Sequence, residues 1–234
     1  MFDLIRSIQQ RDPASPTICE VIFGYAGFHV MLFHRTSHFL WKLKLRAFAR
    51  FIAQLGRWLT GIEIHPGAQI GKNLFIDHGM GVVIGETTVI GDHVTLYHGV
   101  TLGGHGKAGK GERRHPTLKD DVTVGAGAQV LGNITLEKGA CVGSNSVVTA
   151  SVPEGVTVIG SPARKIGANR PGEAAFHAYG IPDQKMVDPM VHVINGLVAD
   201  MTLVKEKLDI PVDKTKPATA LDSDENGLWN GAEI

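Results

Sequence analysis

Residues 117–148 read TLKDDVTVGAGAQVLGNITLEKGACVGSNSVV, with an aliphatic residue at every sixth position: Leu118, Val124, Val130, Leu136, Val142 and Val148. The same beat runs upstream. Ile64, Ile70, Ile76 and Val82 keep it, and after a two-residue slip Ile84, Ile90, Leu96 and Leu102 resume it. A period of six matches neither the 3.6 of a helix nor the two of an amphipathic strand. It matches a short strand and a turn, repeated, with one aliphatic side chain per repeat pointing inward. Three repeats close a triangular coil, and stacked coils put inward residues in ladders, such as Ile64 over Val82 and Leu118 over Leu136. Each buried rung contributes roughly 1.5–3 kcal/mol, but only a stack of coils can bury them.

Glycine usage agrees with this reading. Twenty of the 29 glycines lie between Gly61 and Gly160, while Phe75 and Tyr97 are the only aromatic residues there. Such a segment cannot fill a core with large side chains and must use something thin and regular. Glycine often follows a rung (Gly71, Gly85, Gly91, Gly103, Gly125 and Gly143). The glycines of this segment are expected to supply the backbone conformations that tight corners require, positive φ included.

Outward from the repeat, the chain changes character. Residues 1–61 read as a small helical domain: Ser15, Pro16 and Thr17 suit a helix start, with Glu20 in the first turn. The apolar run Val21–Phe33 has the length of a buried helix. Phe28, Leu32, Phe33, Leu40, Trp41 and Leu45 follow at helical spacings, and Ala47–Leu59 forms a further amphipathic segment. Residues 62–166 hold the repeat, interrupted by an insertion at 103–117. Residues 167–234 form an extension with a helix at about 188–208 and a flexible polar tail ending in Ile234. The fold class expected is α+β, with helices first and coils second.

Charge narrows the function classes. Lys+Arg and Asp+Glu balance at 23 each, so no net field draws in nucleic acid or an anionic membrane. No apolar run reaches the roughly 18 residues of a membrane-spanning helix, and MFDLIRSIQQRDP has no stretch suited to a secretory signal. Cys19 and Cys141 make no disulfide or metal pattern, so a reducing, cytoplasmic setting is expected.

Several motifs resemble those of the serine O-acetyltransferases, within the hexapeptide-repeat acyltransferases: RDPAS at 11–15, GIEIHPGAQIG at 61–71, FIDHGMGVVIGET at 75–87, VTLGG at 100–104, RRHP at 113–116 and GAGAQVLGNI at 125–134. The resemblance implies a left-handed parallel β-helix and the transfer of acetyl from acetyl-CoA to the L-serine hydroxyl, with no permanently bound cofactor and no metal. A hydroxyl is a poor nucleophile at neutral pH and needs a base within hydrogen-bond reach. His78 matches the family's catalytic histidine, and Glu63 matches the carboxylate that orients it, where many members carry the shorter Asp. By the same match Asp12 and Asp77 face the serine ammonium, Arg114 pairs with its carboxylate and His115 contacts the hydroxyl or carboxylate. Asp12 is remote in sequence, so its role requires the helical domain folded back on the coils of its own or a neighbouring subunit. Gly104, Ala126 and Ser144 match positions lining CoA. Lys107 and Lys110, in a mobile basic loop, suit its phosphates.

Further implications concern partners. The family assembles as trimers or dimers of trimers with sites between neighbours, its C-terminal isoleucine (here Ile234) enters O-acetylserine sulfhydrylase, and L-cysteine acts as a feedback inhibitor. One rival reading is a zinc enzyme of the γ-carbonic anhydrase type. His93 and His98 have its ligand spacing, but Arg57 stands where a third histidine is required. Two others are acyl transfer to a sugar hydroxyl or an amine, and a scaffold that only holds a partner through its tail.

Overall fold

The computed structural model describes residues 1–104, 106, 109, 111–166 and 189–207. The repeat winds into parallel coils with three faces. The first sheet stacks Glu63–Ile64, Val83–Ile84, Thr101–Gly103, Gln129–Leu131 and Val147–Val148. The second stacks Gln69–Ile70, Val89–Ile90, Thr117–Leu118 and Thr135–Leu136. In the third, Phe75–Ile76, Thr95–Leu96, Thr123–Val124, Cys141–Val142 and Thr157–Ile159 are parallel, and Arg164–Lys165 closes the edge antiparallel. Four-residue corners join the faces in most coils, and the rungs are buried almost without exception.

Register corrects one expected ladder. Leu118 does stack on Leu136, but Ile64 stacks on Ile84 and not on Val82. The two extra residues fall in the corner 77–82. Val82, fully buried, takes the place two residues before a rung, as Val100 and Ala128 do on the coils above. The larger insertion falls between Leu102 and Leu118, which sit on the first and second sheets, so it leaves the ladders undisturbed.

Glycines do supply positive φ at tight corners, Gly99, Gly127 and Gly139 among them, but those that directly follow a rung do not. They are small because the next coil passes close: a Cβ on Gly125 would lie 2.7 Å from the Ser144 amide nitrogen. At the corners leading into and out of the third sheet, positive φ belongs to the third residue after the rung, which is Gly99, Gly127 or Gly139 at some and Asn73, His93, Asp121 or Asn145 at others.

Four helices precede the coils: α1 (Phe2–Arg11), α2 (Ile18–Gly24), α3 (Ala26–Lys42) and α4 (Arg46–Thr60). Thr17 caps α2 in a capping box, with its hydroxyl accepting from the Glu20 amide and its own amide donating to Glu20 Oε2. The apolar run Val21–Phe33 is therefore two helices, broken at Tyr25. Of the residues at helical spacings, Phe28 is buried, Phe33, Leu40 and Trp41 are half-buried and Leu32 is exposed, as is Leu45 beyond the helix end; α3 also buries Gly27, Val30, Met31, His34 and Ser37. The cause is close approach: Gly27 lies against the Ile76 carbonyl, where any Cβ would overlap it.

Helix α4 packs its small residues, Ala49 and Gly56, inward and leaves Phe48, Phe51, Trp58 and Leu59 exposed. His38 bonds the Pro66 carbonyl at 2.8 Å and Arg50 donates to His65 at 3.0 Å, fastening α3 and α4 to the coils. Gly61, at φ 71°, ends α4 and turns the chain into the first strand. Residues 189–207 form α5 (Pro189–Lys207), a separate unit on which Ile194, Leu197, Met201 and Val204 are exposed. No helix among the described residues is long and apolar enough to cross a membrane. The expected flexible tail and Ile234 lie outside the described residues.

Candidate active site

The corner 77–82 joins the third sheet to the first and is the one lengthened by two residues. Its turn takes positive φ at His78, Gly79 and Gly81, and glycine meets that requirement without a Cβ penalty. The corner rests on the residues that lead into Glu63, with the Gly81 amide donating to the Gly61 carbonyl at 2.9 Å. His78 therefore projects from the edge, 59% exposed, with Nε2 4.0 Å from Asp77 Oδ2. Its ring meets His98 of the next coil edge to face, centroids 5.9 Å apart. Glu63 is half-exposed on the adjacent strand, where its Oε2 lies 2.9 Å from Arg57 of α4.

Arg11 brings the helical domain to this corner. Its guanidinium donates to the His93 carbonyl at 2.9 Å, to Thr95 Oγ1 at 3.1 Å and to the Asn73 carbonyl, and lies over the Phe75 ring. Burial lowers its pKa to about 10, so it remains cationic at neutral pH. The next residue, Asp12, is thereby placed beside Asp77 of the same chain. Asp12, Pro13, Ala14, Tyr25, Asp77 and His78 line a cavity of about 400 Å³. Burial raises the Asp77 pKa and the neighbouring Asp12 adds to the rise, while His78 and His98 oppose it. Two carboxylates with an imidazole at the rim suit a small cation that also presents a hydroxyl.

Tyr25 was not among the residues the sequence pointed to. Its hydroxyl donates to Asp12 Oδ2 at 2.5 Å. A tyrosine at the break between two helices carries no periodic signal, and only the folded-back helices reveal its neighbour.

Arg114 and His115 lie elsewhere, on the edge joining the first sheet to the second. Arg114 Nη2 donates to Glu86 Oε2 at 2.8 Å, and this bond holds the Glu86 carboxyl below its ordinary range. The Arg114 and His115 amides both donate to Thr87 Oγ1 at 3.1 Å. His115 is buried, and its Nδ1 accepts from the Thr87 amide at 3.2 Å, which leaves the proton on Nε2. Burial, then the adjacent Arg114, lowers its pKa and favours the neutral ring. Glu86 and Thr87 stood in the quoted FIDHGMGVVIGET segment but carried no assigned role.

The CoA-lining positions divide likewise. Ala126 and Ser144 occupy equivalent corners on the His78 edge, with the Asn145 amide donating to the Ala126 carbonyl at 2.8 Å. Gly104 is on the Arg114 edge, where a Cβ would meet the Arg114 side chain. Lys107 and Lys110 lie outside the described residues. Among the described residues no three His, Cys, Asp or Glu side chains converge to hold a metal ion.

Comparison with known proteins agrees with the coil architecture. The family described as Bacterial transferase hexapeptide (six repeats) matches residues 115–150. A serine acetyltransferase of Mycobacterium tuberculosis is 42% identical over 231 residues, covering 98% of this chain and 96% of its own. Among solved structures, soybean serine acetyltransferase complexed with serine superimposes with a TM-score of 0.66 at 43% identity, over 69% of this chain and 65% of the soybean chain. The Brucella abortus serine acetyltransferase complexed with coenzyme A gives 0.68 at 41%, over 71% and 66%. A third, complexed with cysteine, gives 0.68 at 38%, over 71% and 64%. This chain thus spans about two thirds of each solved chain's length, and the superposition carries the left hand of the coils.

Proposed function

The chain belongs to the serine acetyltransferase family, and we propose that His78 is its general base, working at an edge completed by a neighbouring subunit. The reaction moves acetyl from acetyl-CoA to the L-serine hydroxyl, giving O-acetyl-L-serine and CoA. As the serine oxygen attacks the thioester carbonyl, His78 takes its proton; as the C–S bond breaks, the imidazolium returns a proton to the departing thiolate. Glu63, on the strand beside the His78 corner, orients the ring and stabilises the imidazolium, exchanging its contact with Arg57 for the second ring nitrogen. Asp12 and Asp77 receive the serine ammonium. The cavity that brings these two carboxylates to the imidazole supports this reading above all.

One chain holds the site's parts on two edges of the coil prism, with the first sheet between them. A threefold assembly joins the Arg114 edge of one subunit to the His78 edge of the next. Arg114, with its planar fork, then meets the serine carboxylate, while Ala126 and Ser144 on one side and Gly104 on the other flank CoA. The exposed aromatic face of α4 supports further packing between subunits, either within a trimer or between two. L-Cysteine carries the same ammonium and carboxylate as serine, so competition for the same groups follows.

Acetyl-CoA turnover measured with L-serine, 3-hydroxypropionate, a sugar alcohol and an amine as acceptors tests the assignment. Selective turnover with L-serine is expected. Equal turnover with 3-hydroxypropionate, which lacks the ammonium, removes the role of Asp12 and Asp77.

A further inference from the structure

We infer that Tyr25 is a positioning residue for the acceptor's ammonium group, its hydroxyl clamping the Asp12 carboxylate so that the free edge of that group faces Asp77 across the cavity. This rests on the reading of the cavity as the serine site. The geometry begins in the backbone. Tyr25 ends α2 and opens α3: its amide donates to the Val21 carbonyl at 3.4 Å, and its carbonyl accepts from the Phe28 and His29 amides at 3.1 and 3.2 Å. Both flanking helices therefore fix where its ring enters the cavity.

Asp12 is held at both oxygens. Oδ1 accepts from the Ala14 amide at 2.8 Å and Oδ2 accepts from the Tyr25 hydroxyl at 2.5 Å. Each oxygen of an ionised carboxylate has two acceptor sites, so one on each remains for a ligand. Without the phenol, Asp12 keeps a single anchor and its carboxylate turns about the terminal torsion, which is a soft one. Asp77 beside it is a second, half-buried carboxylate, and the two acidic groups leave a place between them for a cation. Burial, with Asp12, Asp77 and Glu20 nearby, pushes the tyrosine pKa upward, so Tyr25 remains a donor across the working pH range.

Steady-state kinetics of Tyr25→Phe in the full chain, with L-serine and acetyl-CoA, test this. A hydrogen bond to a charged group supports an expected rise of about tenfold in KM for L-serine. The kcat, the KM for acetyl-CoA and the Tm should stay close to wild type. The second arm is a double-mutant cycle with Asp12→Asn. If Tyr25 acts through Asp12, the Tyr25→Phe effect disappears in the Asp12→Asn background.

An unchanged serine KM, two effects that simply add, or a Tm that falls in step with activity each overturn the inference. A wild-type chain that fails to acetylate L-serine overturns the underlying functional reading instead, so the two failures are distinguishable.

Discussion

His78 carries a left-handed backbone at φ 59°, a conformation that costs a non-glycine residue on the order of 1 kcal/mol or more. Asparagine tolerates it better than most side chains. His78→Asn should therefore keep or slightly raise the Tm while lowering turnover by about 10²–10⁴, the usual reach of general acid–base catalysis. His78→Ala should lose as much rate, and Glu63→Gln less than either. Turnover near wild type in the histidine variants rejects the assigned base. Asp77 makes a different kind of prediction. Its folded-state pKa is raised, chiefly by burial, so holding the charged carboxylate costs stability above that pKa and nothing below the unfolded value. Asp77→Asn should melt higher than wild type at neutral pH, with the gap closing as pH falls through the raised pKa. Serine turnover should be lost in the same variant. A melting difference independent of pH shows that the carboxylate charge is not its source.

At the scale of the element, glycine answers two separate demands at the corners: close approach of the next coil and a left-handed backbone. Gly125 sits where the next coil passes, so Gly125→Ala should destabilise by about 1–3 kcal/mol through overpacking. At Gly139 a Cβ would meet nothing within 4 Å, but φ is 66°, so Gly139→Ala should cost about 1 kcal/mol through backbone strain alone. Gly139→Asn should be nearly neutral, because Asn73 and Asn145 occupy the equivalent place in other coils. Denaturant melts of the three variants check the order, and a tolerated Gly125→Ala removes the close-approach explanation. The rung pattern itself was legible because each repeat must supply its own inward aliphatic residue. The face that α3 buries was not. Coil and helix neighbours on two sides select Gly27, Val30 and Met31, and apolar spacing alone cannot register a carbonyl such as that of Ile76 pressing on one of them.

At the scale of the assembled molecule, the partition of the site over two edges has a direct consequence. A subunit with His78→Ala retains Arg114, and a subunit with Arg114→Ala retains His78. Each variant alone should be nearly inactive. Refolded together in equal amounts, random mixing in a closed cyclic assembly should restore about a quarter of the sites. Activity after mixing, read alongside the oligomeric mass, checks this. Absence of recovery in a mixed oligomer means that one subunit supplies both groups.

Much of this protein is written locally: the period of six, the glycine-rich corners, the insertion that leaves the ladders undisturbed, and the motifs around His78 and Arg114. These follow from chain neighbours, because a coil repeats the same steric demand every few residues. Folding alone brought Asp12 and Tyr25 to Asp77 and set the Arg114 edge apart from the His78 edge. Those placements depend on Arg11 reaching the His93 carbonyl and Thr95, more than eighty residues along the chain, and on where two insertions fall around a closed prism. No local period records a contact made across that distance.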